Sequence, residues 1–278
     1  GTQVDSPSVH SAFQTPKQLI QFVSTLRELS GGKPIGIKLA LGRRSEFVAI
    51  CKAMVELNIT PDFVTVDGGE GGTGAAPLEY SNSIGSPLRE ALAFVDDCLT
   101  GYGVREDVKI IASGKIISGF HLVKNLALGA DACNSARGMM LALGCVQSLS
   151  CNTNECPTGV ATQDPSLHKG LVPENKAVRV FQFHQKTIHA TVDIISSAGL
   201  KSPSDLNRTH IFRRVNQQEV KRYDEIFPHM VVGGFLKACI PDNYAIDIEE
   251  ADANSFAPKR TLTSINHETK SLCENEAS

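Results

Sequence analysis

Short apolar runs alternate with helix-period segments along the first half of the chain, and this alternation restricts the fold more than any other feature. From Lys17 to Leu29 apolar residues recur at Leu19, Phe22, Val23, Leu26 and Leu29, which predicts a helix ended by Gly31-Gly32. Ile35–Ala40 reads as a short buried strand. Glu46–Asn58 reads as a helix with Phe47, Ile50, Met54 and Leu57 on one face, and Phe63–Val66 as a second strand. The pattern continues with a helix over Pro87–Leu99, a strand over Val108–Ala112, a helix over Ser118–Leu128, and a short strand over Ala130–Ala136 before another helix near Met139. Four strand–helix units in about 130 residues predict an α/β fold with a parallel sheet and right-handed crossovers. Two architectures fit: a doubly wound open sheet, or part of an eightfold barrel, of which four units are half.

The flanks are simpler. Pro7 and Pro16 make the first sixteen residues a loop, and a start at Gly1 suggests part of a longer sequence. Glu174–Ser197 reads as one long helix carrying Val178, Phe181, Ile188, Val192 and Ile195. Beyond about Lys201 the chain turns polar and irregular, and the last twenty residues show no periodicity. A division follows: 1–172 as the strand–helix domain, 173–278 as a helix and irregular extension.

An apolar fraction of 41% over 278 residues allows a substantial core. The net charge of −3 with no basic block argues against nucleic acid as a partner. The apolar stretch Met139–Val146 is too short to span a bilayer, and no signal peptide is visible. Of the eight cysteines, Cys51, Cys98 and Cys239 lie in apolar runs. A reducing, cytoplasmic setting suits such thiols better than a secreted disulfide framework, and there clustered cysteines read as metal or redox sites.

Three stretches could carry chemistry. Asp67–Pro77 holds five glycines in eight residues directly after a strand, where the backbone can approach a ligand closely; the alternative is a flexible surface loop. It is not a P-loop, because no Gly-Lys-Ser/Thr follows. Ser113-Gly114-Lys115 and Ser135-Ala136-Arg137-Gly138 follow the third and fourth strands. Small residues leading into helix N-termini there make either a phosphate cradle or a pair of tight turns. Cys145-x5-Cys151-x4-Cys156-Pro157 is the third. Three local thiolates suit a three-iron cluster better than the four-ligand sites typical of zinc, though His168 could complete a zinc site and three buried thiols are the plain alternative. Lys38, a charge inside an apolar strand, either pairs with a carboxylate or stabilises negative charge on a reduced flavin.

Together, Gly68–Pro77, the run Cys145 to Pro157 and the tail Thr158-Gly-Val-Ala-Thr-Gln-Asp-Pro165 resemble the synthase domain of the glutamate synthase family, over about Ser6 to Leu206. The resemblance implies the C-terminal half of a (β/α)8 TIM-type barrel that binds FMN and a [3Fe-4S] cluster. It implies that Cys145, Cys151 and Cys156 are the cluster ligands. Ser113, Gly114 and Lys115, with Ala136, Arg137 and Gly138, match the segments that contact the FMN phosphate. Gly71, Gly72 and Thr73 match the loop over the flavin, and Lys38 the catalytic lysine of strand five.

The implied activity is reductive amination of 2-oxoglutarate to glutamate from ammonia. The electron donor would be reduced ferredoxin or an NAD(P)H-oxidising subunit. Alternatives within reach are an amine–glutamate (N-methylglutamate-type) synthase subunit and a non-catalytic FMN and iron–sulfur electron-transfer module or fragment. The chain departs from full-length glutamate synthases in having neither their β-helix domain nor their amidotransferase domain. It is closer to the stand-alone FMN-binding members. Strands one to four of the barrel are expected elsewhere, so the chain is expected to act as an oligomer or with the missing N-terminal half.

Overall fold

The computed structural model describes residues 9–70 and 79–259. The predicted alternation is present. Helix α1 (Pro16–Leu29) starts where the Thr15 hydroxyl accepts the Gln18 N–H and Pro16 needs no hydrogen bond. It stops where Gly31 and Gly32 take positive φ. Then come β1 (Gly36–Ala40), α2 (Arg44–Leu57), β2 (Phe63–Asp67), α3 (Leu88–Gly101), β3 (Lys109–Ser113), α4 (Gly119–Ala127), β4 (Ala132–Asn134) and α5 (Ala136–Leu143).

The strands pair in chain order, β1-β2-β3-β4, and every pair is parallel. A doubly wound sheet reverses its strand order at a switch point, and these four strands contain none. With a single direction of advance, right-handed crossovers put α2, α3 and α4 on one side. Burial agrees. Partners across the register share a face, so Ile37, Val64 and Ile110 form one row, and Leu39, Val66, Ala112 and Cys133 the next. Val64, Val66, Ile110 and Ala112 are fully buried under Phe47, Val48 and Met54 of α2, Leu92, Val95 and Leu99 of α3, and Val123 of α4. Each large apolar side chain so covered contributes about 1.5–3 kcal/mol. The opposite face carries the rows Lys38, Thr65, Ile111, Ala132 and Ala40, Asp67, Ser113, Asn134. At both edge strands these residues are exposed.

After a loop and the one-turn α6 (Pro165–His168), α7 (Pro173–Ser197) runs for 25 residues, as its apolar spacing predicts. It packs on α4 and α5. A Cβ on Gly119 would lie 2.8 Å from the Thr191 nitrogen, and one on Gly138 3.1 Å from Phe183. Its far side leaves Val178, Phe181, Ile188 and Val192 exposed.

The segment read as polar and irregular is better ordered than that. Residues 201–259 form a small antiparallel hairpin, β5 (Phe212–Arg214) and β6 (Val220–Arg222), the short α8 (Tyr223–Ile226) and α9 (Asp242–Glu250). These elements are too short for a periodicity to register. They dock on the outer side of α2 and α3. Tyr244 of α9 stacks on Phe94, with ring centroids 5.4 Å apart. Arg208 is buried, and its guanidinium donates to Asp96 at 2.9 Å, Asp97 at 2.8 Å and the carbonyls of Phe227 and Pro228. The last twenty residues of the chain fall almost wholly outside the described range.

Candidate functional site

The register aligns Ala40, Asp67, Ser113 and Asn134 at the C-terminal ends of the four strands, on the face without helices. Loops from a parallel sheet converge at this end. Lys38 is the third residue of β1, level with Thr65, not at the strand's end as its motif match suggested. Its ammonium reaches one row up and pairs with Asp67 at 2.8 Å. Asp67 was read only as the start of the glycine-rich loop; the pairing depends on a cross-strand register that no local pattern reveals.

The segments after β3 and β4 are brought together. Gly114 has φ +150° and Lys115 φ +47°. The Ser113 carbonyl accepts the Gly68 N–H at 2.8 Å, and a Cβ on Gly114 would stand 3.2 Å from that nitrogen. Glycine is therefore required by both torsion and space. The Ser135 hydroxyl donates to the Ile116 carbonyl at 2.7 Å and ties the two segments to each other. Ser135 is the N-cap of α5, and its hydroxyl, turned to Ile116, makes no capping bond. The first-turn N–H groups of α5, from Ala136 to Gly138, thus have no side-chain cap and remain open to an anion. By contrast, α4 is capped by Ser118, whose oxygen accepts the His121 N–H at 3.3 Å. Of the two helix ends that the sequence offered for a phosphate cradle, only that of α5 lacks a side-chain cap. Arg137 is half-buried and Lys115 exposed at its rim. Gly71, Gly72 and Thr73 lie outside the described residues.

The three cysteines lie in one loop that starts at the end of α5. Gly144, at φ +105°, closes that helix, and Cys145 follows with its N–H on the Met140 carbonyl. The left-handed Asn154, at φ +65°, holds the far end of the loop: its carboxamide oxygen accepts the Gln163 N–H at 2.7 Å and its carbonyl the Thr162 hydroxyl at 2.6 Å. Cys145 and Cys151 are half-buried and Cys156 is buried. The Thr158 hydroxyl and the Ala161 N–H, with those of Thr158 and Val160, lower the Cys156 thiol to about 7 against the effect of burial. Stabilising a thiolate this way suits a metal or cluster ligand. Burial instead raises the thiols of Cys51, Cys98 and Cys133, the last to about 12. Among the described residues no three of His, Cys, Asp or Glu gather closely enough for a single metal ion, so neither Cys145, Cys151 and Cys156 nor the zinc arrangement with His168 stands assembled as a ligand set.

The family described as "Conserved region in glutamate synthase" matches residues 1–201. The glutamate synthase large subunit-like protein YerD of Bacillus subtilis is 38% identical over 231 residues, which cover 83% of this chain and 44% of YerD. An archaeal NADPH glutamate synthase of Methanocaldococcus jannaschii is 36% identical over 207 residues, 74% of this chain and 40% of that protein. The glutamate synthase large chain of Azospirillum brasilense is 27% identical over 220 residues, 78% of this chain and 14% of its own. The chain thus spans less than half the length of these relatives. Among solved structures, a mutant flavocytochrome b2 with pyruvate bound overlaps 66% of this chain and 36% of its own at 16% identity, with a TM-score of 0.41 that carries no argument.

Proposed function

Because the chain belongs to the glutamate synthase family, we propose that it is the C-terminal half of a (β/α)8 barrel that binds FMN and a [3Fe-4S] cluster. It would serve the reductive amination of 2-oxoglutarate to glutamate. The observation that carries this reading is the uncapped α5. Its N-cap hydroxyl donates to the carbonyl of Ile116, the residue after Ser113–Lys115, and its C-terminus leads directly into the cysteine loop. One eight-residue helix would therefore set the phosphate of a flavin and the ligands of a cluster close to each other. The short helix after the last strand is also the element that completes phosphate sites in barrels of this type.

When bound, FMN supplies hydride transfer and the cluster single-electron delivery. The chain's own residues have distinct parts in this scheme. The backbone of Ser113, Gly114 and Lys115 and the N–H groups of Ala136, Arg137 and Gly138 would hold the phosphate. Cys145, Cys151 and Cys156 would close on the cluster as its ligands. Lys38, oriented by Asp67, lies on the open face of the sheet, where it would stabilise negative charge on a reduced flavin. Gly71, Gly72 and Thr73, outside the described residues, are assigned to the loop over the flavin by the family resemblance alone.

Residues 1–172 are then the FMN-binding half barrel with cluster loop 145–156, and 173–278 the helix and extension, of which residues 201–259 dock on the outer side of α2 and α3. A ferredoxin or an NAD(P)H-oxidising subunit supplies electrons, and the setting is cytoplasmic. No helix among the described residues is long and apolar enough to cross a membrane.

The test is a steady-state assay of the full-length gene product, purified without oxygen, with 2-oxoglutarate and either ammonia or glutamine, and with glutamate and methylamine. Glutamate formation is expected with ammonia. N-methylglutamate formed from methylamine would assign it instead to the amine–glutamate synthases. Reversible reduction without product from any donor would leave an electron-transfer module.

A further inference from the structure

We propose that Glu70 is a positioning residue for the phosphate cradle, holding Gly68 in place over Gly114. The inference rests on the FMN reading above. Both carboxylate oxygens of Glu70 accept the Leu88 N–H, at 2.9 and 3.0 Å. Leu88 is the first residue of α3, whose N-cap position is Pro87, a residue with no side-chain acceptor. Glu70 therefore caps α3 from eighteen residues upstream and sets an anion against the positive end of its dipole.

The same carboxylate lies directly against Gly68. A Cβ there would overlap the carboxylate and come within 2.7 Å of the Leu88 Cβ. Gly68 in turn donates its N–H to the Ser113 carbonyl. The empty Cβ position of Gly114 faces the Gly68 nitrogen at 3.2 Å and the Leu88 side chain at 3.3 Å. Glu70, Leu88, Gly68 and Gly114 are thus one packed unit, and the carboxylate is its only charged member. Gly69 extends the unit by donating to the Ser86 carbonyl at 2.9 Å. Of the helices after β1 to β4, α3 is capped by Glu70 and α4 by Ser118, while α2 and α5 begin without a side-chain cap.

The experiment measures FMN affinity of the flavin-stripped full-length gene product by fluorescence quenching, with thermal melts alongside. Glutamine keeps an acceptor for the Leu88 N–H, so Glu70→Gln is expected within about threefold of wild type. Glu70→Ala, and Glu70→Asp with its shorter reach, are expected to weaken FMN binding about tenfold, the worth of one lost hydrogen bond. If Glu70→Ala does not fold, Glu70→Asp gives the reading. Aspartate or alanine variants that fold and bind FMN as tightly as wild type would overturn the inference and leave the flavin site standing. A glutamine variant as weak as alanine would replace positioning with a requirement for charge and also overturn it. Wild-type protein that binds no FMN removes the flavin reading, and this inference with it.

Discussion

At Gly114 torsion and packing meet at one residue of the proposed phosphate cradle. Its φ of +150° is open to glycine, and the space a side chain would need is filled by Gly68 and Leu88. Gly114→Val should therefore push the β3 loop away from α5 and abolish FMN retention. Lys115→Ala removes only an exposed side chain from a cradle built of backbone N–H groups, and should weaken FMN by about tenfold or less. Flavin absorbance per protein, after purification, checks both.

Asp62 is a second instructive residue. Burial pushes its carboxyl up, but the Ile35 N–H at 2.7 Å and the Arg27 guanidinium outweigh that and hold it below the ordinary value. A carboxyl lowered in the folded state contributes stability that is fully present above its unfolded pKa, about 3.9, and is lost as pH falls through the folded value. The gap in melting temperature between wild type and Asp62→Asn should thus be constant above about pH 5 and close as the pH falls below about 4. A gap that widened on acidification would contradict the ion pair's role.

At the scale of elements, the loop between α5 and α6 and the extension behind α3 make separate demands. Serine substitution of Cys145, Cys151 or Cys156 should remove iron from the anaerobically purified full-length protein. Cys98→Ser and Cys239→Ser should leave the iron in place, since Cys98 is buried in the core and Cys239 lies in the extension. Iron analysis and low-temperature EPR decide the matter, and near-stoichiometric zinc without an iron signal would refute the cluster.

The extension is tied down by Arg208. Burial raises the Asp97 carboxyl, while Arg208 and the Tyr244 hydroxyl, 2.5 Å from it, lower it in part. Removing the cation leaves a buried carboxylate without its charge partner, so Arg208→Met should destabilise the protein by about 3–5 kcal/mol. Denaturant titration reads that value, and a loss below about 1 kcal/mol, the worth of an exposed pair, would show that the network is solvated.

For the whole molecule the open side of the sheet is decisive. Among the described residues β1 and β4 each have one strand partner, Lys38, Ala40, Ala132 and Asn134 on the helix-free face of these edge strands are exposed, and α7 exposes Val178, Phe181, Ile188 and Val192 along its outer side. Unpaired strand edges and an apolar stripe of this kind favour association. Produced alone, the 278-residue chain is expected to dimerise or aggregate, and to become a well-behaved monomer when the preceding part of its gene is included. Light scattering after size exclusion measures this. A folded monomer of the isolated chain with a sharp melting transition would count against the half barrel.

What could be read from sequence and what could not separates by range. The strand–helix alternation, the glycine stops, the long α7 and the cysteine loop were all legible. Each is written in periodicity or turn chemistry within a few consecutive residues, where backbone preference and amphipathic burial decide the outcome. The sequence motifs also identified the family. Tertiary structure alone decided the rest: the sequential strand order that leaves one face open, the Lys38–Asp67 pair, the Ser135 hydroxyl turned from its own helix to Ile116, Glu70 capping α3, and the docking of residues 201–259 through Arg208. Those side-chain contacts join residues from 18 to 112 positions apart. Their formation depends on register and on which surfaces meet, and a side chain's local context carries no record of its distant partner.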